Sequence, residues 1–191
     1  MRALIVYAHP NPKSFNHAIL DSVMEGLSEA GHVSDVIDLY EMDFDPCLKV
    51  DDFVKIRSGS NSEDVLSHQA RLSKADVLVF IHPNWWGGIP AILKGWIDRV
   101  FSMGYAYKAD EETGAMVGLL KTQKVLVLTT CGSPEGFSLC IDAYKDIWAQ
   151  KILQFCGIPD VHFKLFYDVI NVDGKTRKGY LQEARDLALN V

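Results

Sequence analysis

The chain has 191 residues, 48% of them hydrophobic, and a formal net charge of −6. That length supports one well-buried core, so a single domain over residues 1–191 is expected, and the acidic balance lacks the positive footprint that nucleic-acid binding requires. No apolar run is long enough to insert in a membrane, since "VLVFIHP" is broken by His82 and Pro83.

The four cysteines, Cys47, Cys131, Cys140 and Cys156, form no CxxC pair and have no histidine at metal-ligand spacing. That is the usage of a reduced, cytoplasmic protein without a structural metal. The start, "MRALIVYAHP", has one arginine, a short apolar run and no small-residue cleavage site, so it reads as a strand and not as a signal peptide.

In chain order, "ALIVYA" (3–8) is a near-continuous apolar run, the pattern of a strand buried on both faces. Phe15, Ala18, Ile19, Val23, Leu27 and Ala30 then recur at helical spacing until Gly31 stops them. "HVSDVIDL" (32–39) is more polar and suits an edge strand. Residues 40–61 read as an irregular polar insertion or lid. A helix over 62–75 has Ser62 as its cap and Val65, Leu66, Ala70 and Leu72 to bury. "DVLVFI" (76–81) is the third strand, and after Pro90 a helix places Leu93, Trp96, Ile97, Val100 and Phe101 on one face. "KVLVLTT" (124–130), a helix over 137–157, the alternating "VHFKLFYDV" (161–169) and a helix over 177–190 complete the set. Five strands alternating with five helices imply an α/β, doubly wound five-stranded parallel sheet with helices on both faces.

Such sheets bind ligands beyond the carboxyl ends of their strands. Three loops stand there: "HPNPKSFN" (9–16), "HPNWWGG" (82–88) and "TTCGSPEGF" (129–137). The first has neither a GxGxxG nor a Walker lysine, but Ser14, Phe15 and Asn16 open a helix whose free N–H groups favour an anion. Ser14 is equally readable as a plain cap. Trp85 and Trp86 on Gly87 and Gly88 suggest a backbone that approaches a flat ligand; the alternative is that both indoles cover the core, as Trp96 does by its spacing. The Thr129–Gly132 turn offers polar groups to a planar ring, or is an ordinary turn. Cys131 lacks a nearby histidine or lysine that would make it a catalytic nucleophile. His9 stands where a ligand could touch it, whereas His82 reads equally as the satisfied polar end of a strand.

One phosphate site and one planar-ring site suit a flavin mononucleotide better than a dinucleotide. Micromolar binding needs about −8 kcal/mol. A helix-dipole contact supplies at most ~2 and an aromatic stack about 0.5–1.5 beyond burial, so several loops must cooperate.

"AHPNPKSFN", "HPNWWGGIPAILKGWIDRVF", "GYAY" (104–107) and "TTCGS", in this order, resemble the NAD(P)H:quinone oxidoreductase branch of the flavodoxin-like superfamily. The resemblance implies a flavodoxin-like fold and a homodimeric enzyme with its site near the subunit interface. It implies ping-pong hydride transfer from NADH or NADPH through FMN or FAD to a quinone. By motif, His9, Ser14, Phe15, Asn16 and Gln69 would contact the cofactor. Pro83, Asn84, Trp85, Trp86, Thr129, Thr130, Cys131 and Gly132 would line its ring. Trp86, Gly87, Tyr105 and Phe137 would meet the substrate, and Tyr107 is the catalytic candidate on an aromatic loop lent by the neighbouring subunit.

Two departures qualify the resemblance. Relatives place a tyrosine and a histidine after the threonine loop to relay charge, where this chain has Phe137 and "CIDAY". The chain also ends soon after its last helix, which favours FMN over FAD. An alternative reading is a regulatory or electron-carrier flavoprotein that docks a protein partner such as a potassium-efflux system.

Overall fold

The computed structural model of the chain describes residues 1–137 and 141–191, with Ile141 given by its backbone alone. The elements, in chain order, are β1 (Arg2–Tyr7), α1 (Phe15–Glu29), β2 (Val33–Asp38), α2 (Val50–Arg57), α3 (Glu63–Leu72), β3 (Val77–Pro83) and α4 (Ala91–Val100). There follow β4 (Tyr107–Ala109), β5 (Met116–Gly118), β6 (Lys124–Thr130), α5 (Ile141–Asp146), β7 (Asp160–Phe166) and α6 (Gly174–Leu189). A π-helical segment, Ile147–Gln154, continues α5.

The apolar runs pair as one parallel sheet in the order β2-β1-β3-β6-β7. Ala3 lies opposite Val77, Val77 opposite Lys124, and Lys124 opposite Asp160. The two more polar strands, β2 and β7, are the edges, where one flank meets water instead of a neighbour. From β1 the chain first moves outward to β2 and then crosses to β3 on the other side. That reversal opens a crevice at the carboxyl ends of β1 and β3.

Side-chain alternation divides the core into two layers. Ala3, Ile5, Tyr7, Val79, Ile81, Leu126 and Leu128 pack under α1 and α6, while Leu4, Val6, Leu78, Phe80, Val125 and Val127 pack under α3, α4 and the α5 region. The first layer is tight: a Cβ at Gly26 of α1 would stand 2.3 Å from the Arg185 carbonyl of α6. On the second layer Trp96 is fully buried, in keeping with its helical spacing.

Several features differ from expectation. On α3 Val65 and Leu72 are buried, but Leu66 and Ala70 are exposed. Residues 40–61 contain a helix, α2, because Asp51 and Asp52 favour its start and Asp52 accepts from the Lys49 backbone N–H at 2.9 Å. Ser62 does precede α3, but its hydroxyl donates to Asp52 Oδ1 at 2.7 Å and does not cap the helix. Tyr107, the last residue of the GYAY segment, opens the antiparallel hairpin β4–β5, a sheet too short to show in hydrophobic periodicity. The helix expected over 137–157 is α5 followed by the π-helix, and its residues 138–140 lie outside the described residues. Bonding from i to i+5 brings Trp148 and Leu153, five apart and both fully buried, to one face.

Candidate functional site

At the crevice the loops after β1, β3, β6 and β7 enclose a cleft of about 430 Å³, within the size range of small-molecule and cofactor sites. Nine expected residues line it: His9, Phe15 and Asn16 on the first loop, Pro83, Asn84 and Trp85 on the second, Thr130, Cys131 and Gly132 on the third. A second hollow of about 380 Å³ adjoins it through Asn84, Cys131 and Gly132, and is bounded by Trp86, Gly87 and Phe137. A broader groove between α1 and α6 carries Asp21, Glu25 and Glu29, the last paired with Arg185 at 2.6 Å, so its net charge is acidic.

The cleft has a defined polarity. Asn11 donates its backbone N–H to His9 Nδ1 at 3.1 Å, so the ring proton sits on Nε2 and is available to an anionic acceptor. Burial holds the His9 pKa below its ordinary value. Asn16 is buried; its Nδ2 donates to Thr130 Oγ1 at 2.8 Å while its Oδ1 has no partner. An unpaired buried carbonyl costs roughly 1–3 kcal/mol, which a ligand donor would recover. The start of α1 adds N–H groups that no intrahelical carbonyl satisfies.

Arg177 of α6 reaches the same cleft. Its guanidinium donates to the Ile170 carbonyl at 2.8 Å, and its buried Nε has no partner. Arg177, Val169 and Ile170 were missed by sequence reasoning, which inspected three strand ends and left out the one after β7. The same strand-end rule, applied to "DVINVDGKTR", would have found them. Gly132 faces Ile170 so closely that a Cβ would stand 2.9 Å from Ile170 Cδ1, so its lack of a side chain keeps the cleft open.

The tryptophan turn has an unusual backbone. Trp85 and Gly88 exchange backbone hydrogen bonds of 3.2 and 3.0 Å, with Trp86 at φ +56° and Gly87 at φ +72°. Positive φ at both central residues is the requirement of a type I′ turn. A bulky side chain in that region costs of order 1–3 kcal/mol. Trp86 is fully exposed and Trp85 partly so, with its ring centroid 6.0 Å from His9. Neither indole covers the core.

Five expected site residues lie elsewhere in this chain. Ser14 is the cap of α1: its hydroxyl accepts from the His17 N–H at 3.2 Å and touches the Tyr7 hydroxyl at 3.3 Å. Gln69 is buried, with Nε2 donating to the Val100 carbonyl at 2.9 Å and to Ser102 Oγ at 3.1 Å, so it ties α3 to the end of α4. Thr129 is fully buried on the α5 layer because strand parity sends its side chain opposite to that of Thr130. Tyr105 donates its hydroxyl to the Gln69 carbonyl at 2.8 Å and pairs with Ser73. Tyr107 packs on Phe155, ring centroids 5.2 Å apart. The two tyrosines stand outside the cleft.

His82, read as the polar end of β3, is fully buried with Nδ1 2.9 Å from the Pro83 carbonyl. Burial pushes its pKa down to about 4.

The model of the flavodoxin-like fold family matches residues 1–188. The chain belongs to that family. Among relatives, an NAD(P)H oxidoreductase of Haemophilus influenzae is 37% identical over 96% of this chain and 92% of its own. Rat NAD(P)H dehydrogenase [quinone] 1 is 33% identical over 88% of this chain and 69% of its own. Among solved structures, the NAD(P)H:quinone oxidoreductase of Methanothermobacter marburgensis superposes with a TM-score of 0.89 at 33% identity, covering 100% of this chain and 96% of the other. Family membership accounts for the sheet order and for the crevice at the β1/β3 reversal.

Proposed function

We propose that the protein is a flavin-dependent NAD(P)H:quinone oxidoreductase that holds FMN in the β1/β3 crevice and reduces quinones in a ping-pong cycle. The observation that carries this reading is the coincidence, in one cleft, of groups that suit an anion and groups that suit a flat ring. His9, Arg177 and the start of α1 supply the first, and Pro83–Trp85 with Thr130–Gly132 supply the second. The named relatives support the reaction class.

A bound flavin supplies the ability to accept a hydride from a nicotinamide and to pass two electrons to a quinone. The chain's own part is binding and alignment. His9 Nε2–H and the Arg177 guanidinium would hold the phosphate, and Asn16 Oδ1 would accept a donor from the cofactor. Trp86, Gly87 and Phe137 border the adjoining hollow, where nicotinamide and acceptor would alternate against the ring. Close stacking with water excluded accounts for most of what hydride transfer needs.

Exposed Met103, Met116, Val117 and Phe155 surround the β4–β5 hairpin and suit burial against a second copy. That supports a homodimer in which Tyr105 and Tyr107 approach the partner's hollow, with Tyr107 the catalytic candidate. No helix among the described residues is long and apolar enough to cross a membrane. With the cysteine usage, this supports a cytoplasmic location.

The absorption spectrum of the purified protein, followed by quinone-dependent oxidation of NADH and NADPH, tests the assignment. A protein that takes up no flavin when FMN or FAD is supplied would refute it. Arg177→Ala should weaken FMN binding about tenfold or more by fluorescence titration and leave riboflavin, which lacks the phosphate, nearly unaffected.

A further inference from the structure

Directly behind the crevice, on the α5 layer, lies a buried polar group that binds no ligand in the reading above. His82 stacks on Trp148 with ring centroids 5.5 Å apart and an interplanar angle of 24°. The Tyr144 hydroxyl of α5 stands 3.4 Å from His82 Nε2. Trp148 Nε1 and Thr129 Oγ1 also lie beside that hydroxyl, and neither forms a full hydrogen bond. Four polar side chains thus converge where two apolar strand ends meet, although a fully apolar plug would be cheaper there.

The hydrogen-bond roles follow from the partners. The Pro83 carbonyl can only accept, so Nδ1 carries the ring proton and donates. Nε2 is then an acceptor, and Tyr144 is its donor. The Pro83–Asn84 peptide is held at both ends: its oxygen by His82, and its N–H by the Thr130 carbonyl at 2.7 Å. The next residues are Trp85 and Trp86, on the strained turn. The imidazole therefore connects α5, through Tyr144, to the peptide that launches that turn.

We propose that His82 and Tyr144 form a buried strut that positions the Trp85–Gly88 turn, so that His82 is a positioning residue for the electron acceptor. Its link to the acceptor rests on the function proposed above; its link to the turn does not. The strut works as a neutral pair. Burial keeps the Tyr144 hydroxyl protonated, its pKa pushed up to about 12, and keeps His82 uncharged. Among the described residues, the groups that meet the ring are the Pro83 carbonyl, the Tyr144 hydroxyl and the Trp148 indole, none of them charged. The pair holds geometry and exchanges no proton near neutrality.

Tyr144→Phe removes one oxygen and leaves the ring in the core. The first test uses the ligand-free protein labelled with 5-fluorotryptophan, whose four indoles give four fluorine resonances assigned by single Trp→Phe changes. Tyr144→Phe should shift Trp148, its direct neighbour, and should also shift or broaden the resonances of the Trp85–Trp86 pair. Movement of Trp148 alone overturns the strut. In the flavin-loaded enzyme, Tyr144→Phe should raise the KM of the acceptor and that of NAD(P)H at least fivefold, because both would use the hollow that Trp86 and Gly87 border, while kcat stays within twofold. An unchanged KM also overturns it. His82→Leu combined with Tyr144→Phe should be no worse than His82→Leu alone, whereas additive effects mean that the two act separately. If the protein takes up no flavin, the functional reading fails, and the fluorine spectra still decide the strut.

Discussion

Trp86 occupies a position where the backbone disfavours it and where no burial compensates. Asn at the same place completes an Asn-Gly pair, the preferred type I′ sequence. Trp86→Asn is therefore expected to raise stability by about 1 kcal/mol, measured by urea unfolding. The same change should raise the acceptor KM, because the indole borders the hollow beside the flavin cleft. A gain in stability without loss of acceptor affinity would separate Trp86 from function. His82 supplies a second residue-scale expectation, in pH. Its folded pKa of about 4 lies below the ordinary 6.5, so between those values the unfolded chain binds a proton that the folded one does not. Stability is complete above pH 6.5 and falls as pH drops toward 4, by about 3 kcal/mol in all. Urea midpoints between pH 7 and 4 should fall more steeply for the native protein than for His82→Phe; parallel curves would contradict the burial argument.

Among the elements, the insertion over 40–61 is held by the Arg99 cation. Arg99 of α4 is buried, donates to both Asp64 oxygens at 2.6 and 3.2 Å and to the Asp45 carbonyl at 2.9 Å, and stands 3.4 Å from Asp52. Its guanidinium also lies 5.3 Å from the Phe44 ring centre. The pKa of Asp64 is held below the usual carboxylate value, Arg99 outweighing the upward push of burial. Packing makes this approach possible, since a Cβ at Gly95 would lie 2.2 Å from the Pro46 carbonyl. Gly95→Ala gains helix propensity of about 1 kcal/mol but must push the insertion away, and overpacking costs about 1–3. A net loss of stability, with easier proteolysis within 40–61, is the expected outcome.

For the whole molecule, the cleft sits where four strand-end loops meet, so its occupant bridges segments far apart in sequence. A ligand that binds only the folded state stabilises it by mass action, about 2.7 kcal/mol at a hundredfold excess over Kd. For a chain of this size that corresponds to a rise in Tm of roughly 5–10 °C on adding FMN. If Arg177, His9 and the start of α1 hold the phosphate as proposed, riboflavin should give a smaller rise. Equal shifts would place the main binding energy at the ring.

The sequence alone determined the sheet. Apolar runs at 3–8, 76–81 and 124–130 can be buried only as central strands, and the polar 32–39 only as an edge. Alternation with helices then forces parallel order and puts the three informative loops at one end. Nine cleft residues were legible in this way, because strand ends carry their position in local pattern. Tertiary structure decided what depends on contacts between distant segments. Arg177 reaches the cleft only because α6 packs on α1. Gln69 and Thr129 serve the interior because of what packs against them, which their own neighbours in sequence do not reveal. His82 acquires its role from Tyr144 and Trp148, more than sixty residues away. Local periodicity sets which face a side chain takes, and only packing sets what stands opposite.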